Sequence, residues 1–192
     1  YDEPEGDELA AVNRFPKMYY HQLGTPQSDD ELVYHRPDQP DWGFGGYVTD
    51  DGDYLIISIS KGTERKNRVA YQNLAQGGGR TIDLLTDFDA LYSFIGNDGE
   101  RFWFFTDKNA PRGRVIEVDI RRPQPEHWKE IIPQARETLR NVNLVNHMFV
   151  ASYLKDAHSL VRIYDTAGEH VRNVQLPGLG TVGGFGADPD DR

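Results

Sequence analysis

Apolar residues in this chain fall in short continuous runs cut by Gly, Asp and Asn, not at the three-to-four spacing of an amphipathic helix. Tyr54-Leu55-Ile56-Ile57-Ser58 and Phe102-Trp103-Phe104-Phe105-Thr106 are two such runs. Each follows a turn-forming stretch, Thr49-Asp50-Asp51-Gly52 before the first and Gly96-Asn97-Asp98-Gly99 before the second. Gly52 and Gly99 stand 47 residues apart. Asn146, ahead of His147-Met148-Phe149-Val150-Ala151-Ser152-Tyr153, stands a further 47 on. The ends of later runs keep step, with Asn73, Asp119 and Asp165 spaced by 46 and 46. A period of about forty to fifty residues with four strands per unit is the pattern of β-propeller blades.

The pattern predicts strands near 18–23 and 31–35, joined by the turn formers of 24–30. Residues 36–42 carry Pro37 and Pro40 and read as a crossing loop, because proline donates no ladder hydrogen bond; this places Trp42 in a loop. Four-strand units follow at 45–49, 54–60, 67–73 and 80–85, then 91–95, 102–106, 114–119 and 128–132, then 138–143, 147–154, 160–165 and 171–176. A strand at 181–186 opens a further unit. As domains, 1–36 is a loop and half blade, 42–86, 91–133 and 138–177 are blades, and 181–192 starts the next. Residues 1–16 are acidic and aperiodic, a loop or ordered tail. The stretch 126–139 has some helical character, but Pro133 opposes a helix, leaving a short helical turn as the alternative. The fold class is therefore all-β, a propeller segment of four-stranded antiparallel blades. Propellers close with about four to eight blades. Three blades and two part-blades are expected to be an arc of a larger ring, unless the chain closes by oligomerising or stays open.

Composition narrows the function classes. Hydrophobic residues make up 38% and aromatics 11% of the 192 residues, enough for a packed core. The formal net charge of −10 disfavours nucleic acid as partner, since phosphate repels an acidic surface. There is no cysteine, so neither a disulfide nor a thiolate site can form within the chain. No apolar run reaches the roughly 20 residues of a membrane span, and no secretory signal is visible. A cytoplasmic location is expected, with the periplasm as alternative. The chain opens at Tyr1 in acidic sequence, as expected of a fragment.

Several stretches resemble a known family. The run from Lys17-Met18-Tyr19-Tyr20-His21-Gln22-Leu23-Gly24-Thr25 to Leu32-Val33-Tyr34 is similar to the propeller of the prolyl oligopeptidases, a family of serine peptidases. So are Pro37-Asp38-Gln39-Pro40-Asp41-Trp42, the hairpin Thr49-Asp50-Asp51-Gly52-Asp53-Tyr54-Leu55, and Asn67-Arg68-Val69. The likeness continues more weakly through Asn109-Ala110-Pro111-Arg112-Gly113-Arg114 and Val161-Arg162-Ile163-Tyr164-Asp165. It implies a seven-bladed propeller, of which this chain is roughly the third to sixth blades, stacked on an α/β-hydrolase domain. In that family the propeller caps the active site and admits short proline-containing peptides, while a Ser-Asp-His triad in the hydrolase domain cuts after proline. Loops on the hydrolase-facing side help line the substrate pocket. The matching positions here are Gly43 and Phe44, and Thr63 in Gly62-Thr63-Glu64. Family members often carry bulky or sulfur-bearing side chains at these points, so Phe44 is expected to supply the apolar surface, the alternative being plain blade loops.

No catalytic residue is assigned within the chain. A hydrolase nucleophile sits in a Gly-X-Ser-X-Gly elbow, and none of Ser28, Ser58, Ser60, Ser93, Ser152 and Ser159 has that setting. Gly178-X-Gly180-X-X-Gly183 matches a dinucleotide fingerprint only in spelling, because no helix is predicted after it. Gly77-Gly78-Gly79 reads as a hairpin turn. Asp50-Asp51 and Asp188-Pro189-Asp190-Asp191 lack calcium-loop spacing, and His21 and His35 lack an evident third ligand for a metal. No cofactor or metal is expected. Trp103 and Trp128 are placed on strands as inter-blade packing. Two function classes stay open: the substrate-gating part of a prolyl-oligopeptidase-like peptidase, and a non-enzymatic propeller scaffold that binds proteins.

Overall fold

A computed structural model describes residues 14–77 and 79–186. Most of the segment read as a tail, 1–13, therefore lies outside the described residues, as do Gly78 and 187–192. The chain divides into two compact units, Tyr1–Phe88 and Asp89–Arg192.

In the first unit, β1 (Lys17–Tyr20) pairs antiparallel with β2 (Glu31–His35). A four-stranded antiparallel sheet follows in chain order: β3 (Trp42–Val48), β4 (Tyr54–Lys61), β5 (Asn67–Asn73) and β6 (Thr81–Leu85). The second unit holds two further sheets of the same design. One is β7 (Tyr92–Asp98), β8 (Arg101–Thr106), β9 (Arg114–Asp119) and β10 (Lys129–Ile132). The other is β11 (Thr138–Val145), β12 (Met148–Lys155), β13 (His158–Asp165) and β14 (His170–Asn173). Four-stranded meanders of this kind are propeller blades.

The 47-residue spacing has a backbone cause. Gly52 has φ +76°, Gly99 +55° and Asn146 +47°, so each repeat places a left-handed residue between its first two strands. Glycine adopts that region without steric cost, and asparagine tolerates it. At the first of these turns Gly52 donates its N–H to the Thr49 carbonyl at 2.8 Å. Thr49 Oγ1 donates to Asp51 Oδ1 at 2.6 Å, and that oxygen also accepts the Asp53 N–H at 3.0 Å.

The apolar second strands form the cores. In the first unit Ile57 and Ile59 of β4 are fully buried with Trp42, Ala70 and Tyr34, the last coming from β2. Met18 and Val33 of the hairpin pack on the same cluster, and Gln72 Nε2 donates to the Val33 carbonyl at 3.2 Å. In the second unit Trp103 of β8 and Phe149 of β12 meet edge to face, with centroids 5.2 Å apart, inside a cluster that joins the two sheets. Gly168, in the turn between β13 and β14 with φ +91°, lies directly against the Ile131 carbonyl of the neighbouring sheet.

Four sequence expectations are corrected. Trp42 opens β3 instead of closing a loop, because Pro40 stops two residues short of it and the backbone of 42–44 already pairs with Lys61, Ser60 and Ile59. Trp128 lies just before β10, capping a 3-10 turn at Pro125–His127, where Nε1 donates to the Pro123 carbonyl at 2.8 Å. β1 ends at Tyr20, which leaves His21 outside it, hydrogen-bonded to Asp30 Oδ1 at 2.7 Å. Residues 181–186 form no strand. A strand needs a partner edge, and among the described residues this segment is held by single bonds, such as Val182 N–H to Ser159 Oγ at 3.1 Å.

Candidate functional site

Gly43, Phe44 and Thr63 all belong to one end of the β3–β6 sheet. Gly43 pairs with Ser60 and Phe44 with Ile59, so both stand on a strand and not in a loop. Thr63 is exposed in the β4–β5 turn, three residues beyond Ser60. The turn is closed by Glu64 N–H donating to the Lys61 carbonyl at 3.2 Å. At Gly43 a Cβ would come within 2.7 Å of Ser60 Oγ. Its absence lets that hydroxyl donate to the Gly43 carbonyl at 3.4 Å.

Strand alternation sends Phe44 to the opposite face from Gly43. The Phe44 ring is half-buried and sits edge-on to Tyr34, centroids 4.9 Å apart at 82°. It packs on the Tyr34–Trp42–Ile57–Ile59 cluster. The structure thus brings Gly43 and Thr63 to one sheet end and turns the Phe44 ring into the junction with the hairpin.

Sequence reasoning missed what surrounds Trp42. Two guanidinium groups lie over its ring, Arg36 at 4.8 Å and Arg68 at 4.9 Å from its centroid, with Phe88 edge-on at 5.3 Å. Arg36 is held by Asp38 in a two-pronged bond, Nε to Oδ1 at 2.8 Å and an Nη to Oδ2 at 2.7 Å. Those bonds hold the Asp38 carboxyl below the usual carboxylate range and push Arg36 upward. Arg68 reaches Asp83 at 3.8 Å, and its Nε is buried without a hydrogen-bond partner among the described residues. Stacking over aromatic faces accommodates such a guanidinium. The available signal was register: opposite Ile59, Arg68 occupies an apolar-face position of a central strand.

The second unit contains a recess of about 340 Å³, lined among others by Arg140, Asn143, Ser152, Ser159, Val182 and Phe185. Its lining holds two serines but neither histidine nor carboxylate, so no base is placed to activate a hydroxyl. Glu117, 3% exposed, binds Lys129 Nζ at 2.8 Å and accepts the Trp103 indole N–H at 3.2 Å. Among the described residues no three His, Cys, Asp or Glu side chains gather to hold a metal ion. No serine hydroxyl there is hydrogen-bonded to a histidine.

Comparison with known proteins decides the family. The family model described as the prolyl oligopeptidase N-terminal β-propeller domain matches residues 1–192. The chain belongs to the prolyl oligopeptidase family. It is 37% identical over 193 residues to the prolyl endopeptidase of Elizabethkingia miricola, covering all of this chain and 27% of that protein. It is 33% identical to prolyl oligopeptidase A of Amanita bisporigera over 176 residues, 88% of this chain and 23% of the relative. Among solved structures, one from a study of two prolyl endopeptidases superposes with a TM-score of 0.88 at 32% identity, covering 94% of this chain and 27% of that one. Apo prolyl oligopeptidase B from Galerina marginata gives 0.80 at 29% identity, covering 87% and 24%. The chain therefore spans about a quarter of the length of these prolyl oligopeptidases, and corresponds to propeller.

Proposed function

We propose that this chain is the substrate-gating propeller segment of a serine peptidase that cleaves short peptides after proline. The observation that carries the proposal is the family match over all 192 residues, joined to sheets that place no serine–histidine pair among the described residues. Catalysis is then supplied by an α/β-hydrolase domain of the same polypeptide. There a serine attacks the carbonyl, a histidine accepts its proton, and an oxyanion hole stabilises the tetrahedral intermediate.

The blades act by exclusion and positioning. Antiparallel sheets with closely packed apolar second strands are stiff walls, suited to keeping long chains from a nucleophile while short peptides pass. Gly43 and Thr63 are the positions at which the first full sheet would meet such a peptide. Gly43 offers backbone without a side chain, and Thr63 an exposed hydroxyl. Phe44 acts indirectly, because its packing on Tyr34 fixes this end of the sheet.

The test is cleavage of a short peptide with one internal proline, followed by mass spectrometry. The complete polypeptide is expected to cut on the carboxyl side of proline and the 192-residue chain alone to leave the peptide intact. Cutting by the chain alone, or an inert complete polypeptide with an intact nucleophile, would overturn the proposal. A long-lived complex with a folded protein and no peptide turnover would favour the scaffold.

A further inference from the structure

The chain carries 31 acidic against 21 basic residues, yet one turn reverses that balance. At the end of β4 and in the turn to β5, Lys61, Arg65 and Lys66 accompany a single carboxylate, Glu64. All four side chains are exposed. The other two cations at this sheet end are engaged, Arg36 with Asp38 and Arg68 with Asp83 and the Trp42 ring. Lys61, Arg65 and Lys66 make no ion pair among the described residues.

The backbone that carries these charges is fixed at both ends. Glu64 N–H bonds the Lys61 carbonyl at 3.2 Å, and Asn67 Nδ2 donates to Ser58 Oγ at 3.1 Å. The turn also carries Thr63, and its base adjoins Gly43 through Ser60. Three exposed cations on a pinned turn, beside an exposed hydroxyl, form a surface complementary to carboxylates.

We infer that this turn recognises acidic peptides, with Lys61, Arg65 and Lys66 binding carboxylates that flank the segment lying along Gly43 and Thr63. The inference rests on the peptidase reading for why a peptide arrives there, although the binding itself needs no catalysis. Charge range selects the ligand. The screening length in physiological salt is about 8 Å, so a short peptide with one or two carboxylates feels the turn, whereas an extended polyanion also meets the acidic remainder. Exposed ion pairs are individually weak, and three together give a preference of about tenfold, steeply reduced by salt.

The experiment compares two labelled peptides of equal length, Glu on both sides of a proline in one and Gln in the other. Fluorescence anisotropy reads their binding to the 192-residue chain and to its K61Q/R65Q/K66Q variant. The Glu peptide is expected to bind about tenfold tighter in low salt, and to lose that advantage in high salt and in the variant, with Gln-peptide binding unchanged throughout. Equal affinities, including no detectable binding of either peptide, would overturn the inference, as would a variant that keeps the Glu preference. A lowered thermal transition of the complete polypeptide carrying the three substitutions would also overturn it, by showing that the turn pairs with an acidic surface of the same protein. If the complete polypeptide cleaves no proline peptide while the Glu preference stands, the peptidase reading fails and the recognition site survives.

Discussion

Trp42 and Trp103 occupy comparable places, one in each compact unit, and solve burial differently. Trp103 is 2% exposed, edge-on to Phe149, with its indole N–H on a buried Glu117 carboxylate. Trp42 is 7% exposed, with two guanidinium groups over its ring. The first lies where two complete sheets meet, so its surroundings are apolar on all sides but one. The second lies where a two-stranded hairpin meets a sheet, so part of the covering is built from arginine stems and loops. The difference predicts that the second unit depends on shape and the hairpin junction on charge.

The largest test of that contrast is Trp103→Ala, which empties the joint between two sheets and should cost about 4 kcal/mol in urea denaturation. Gly168→Ala comes next. A methyl group there collides with the Ile131 carbonyl oxygen, and backbone cannot yield as a side chain can. A loss of about 3 kcal/mol is expected, while an effect near zero would show that the two sheets are less closely packed than described.

Arg68→Ala probes the other kind of joint. Removing one guanidinium face and its stem should cost about 1–2 kcal/mol and shift the Trp42 emission, read in a variant that keeps Trp42 but replaces Trp103 and Trp128 by Phe. An unchanged spectrum would dissolve the comparison. Asp119→Asn should be the smallest. The Arg121 hydrogen bonds lower the Asp119 pKa from 3.8 to about 2. A lowered folded-state pKa stabilises above the unfolded value and is lost as pH falls through the folded one. The parent and the Asn variant should therefore diverge slightly above pH 4 and converge towards pH 2; parallel acid limbs across that window would show that the clamp adds nothing.

Much of the fold was legible because turns announce themselves. Gly52, Gly99 and Asn146 mark left-handed positions, and the apolar runs after them become β4, β8 and β12. The misplacements share one cause: strands are made by partners, which local sequence does not show. Trp42 stands two residues after a proline, yet Lys61 draws it into a ladder, whereas 181–186 has a strand-like spelling but pairs in no ladder among the described residues. The candidate site was legible only as positions. Gly43, Phe44 and Thr63 were all named through family likeness, but that Phe44 faces away from Gly43 follows from strand alternation once Gly43 is seen to pair with Ser60. The cation–aromatic group at Trp42 brings in Arg68 from the far side of the β4 hairpin, and no local pattern encodes that contact.

We propose that this propeller segment limits what reaches a nucleophile located elsewhere in the polypeptide. One measurement addresses it directly: side-by-side cleavage, by the complete polypeptide, of a short proline peptide and of the same sequence placed within a long unfolded chain. Cleavage of the short peptide with the long chain left intact is the expected result. Equal rates on both would contradict the claim.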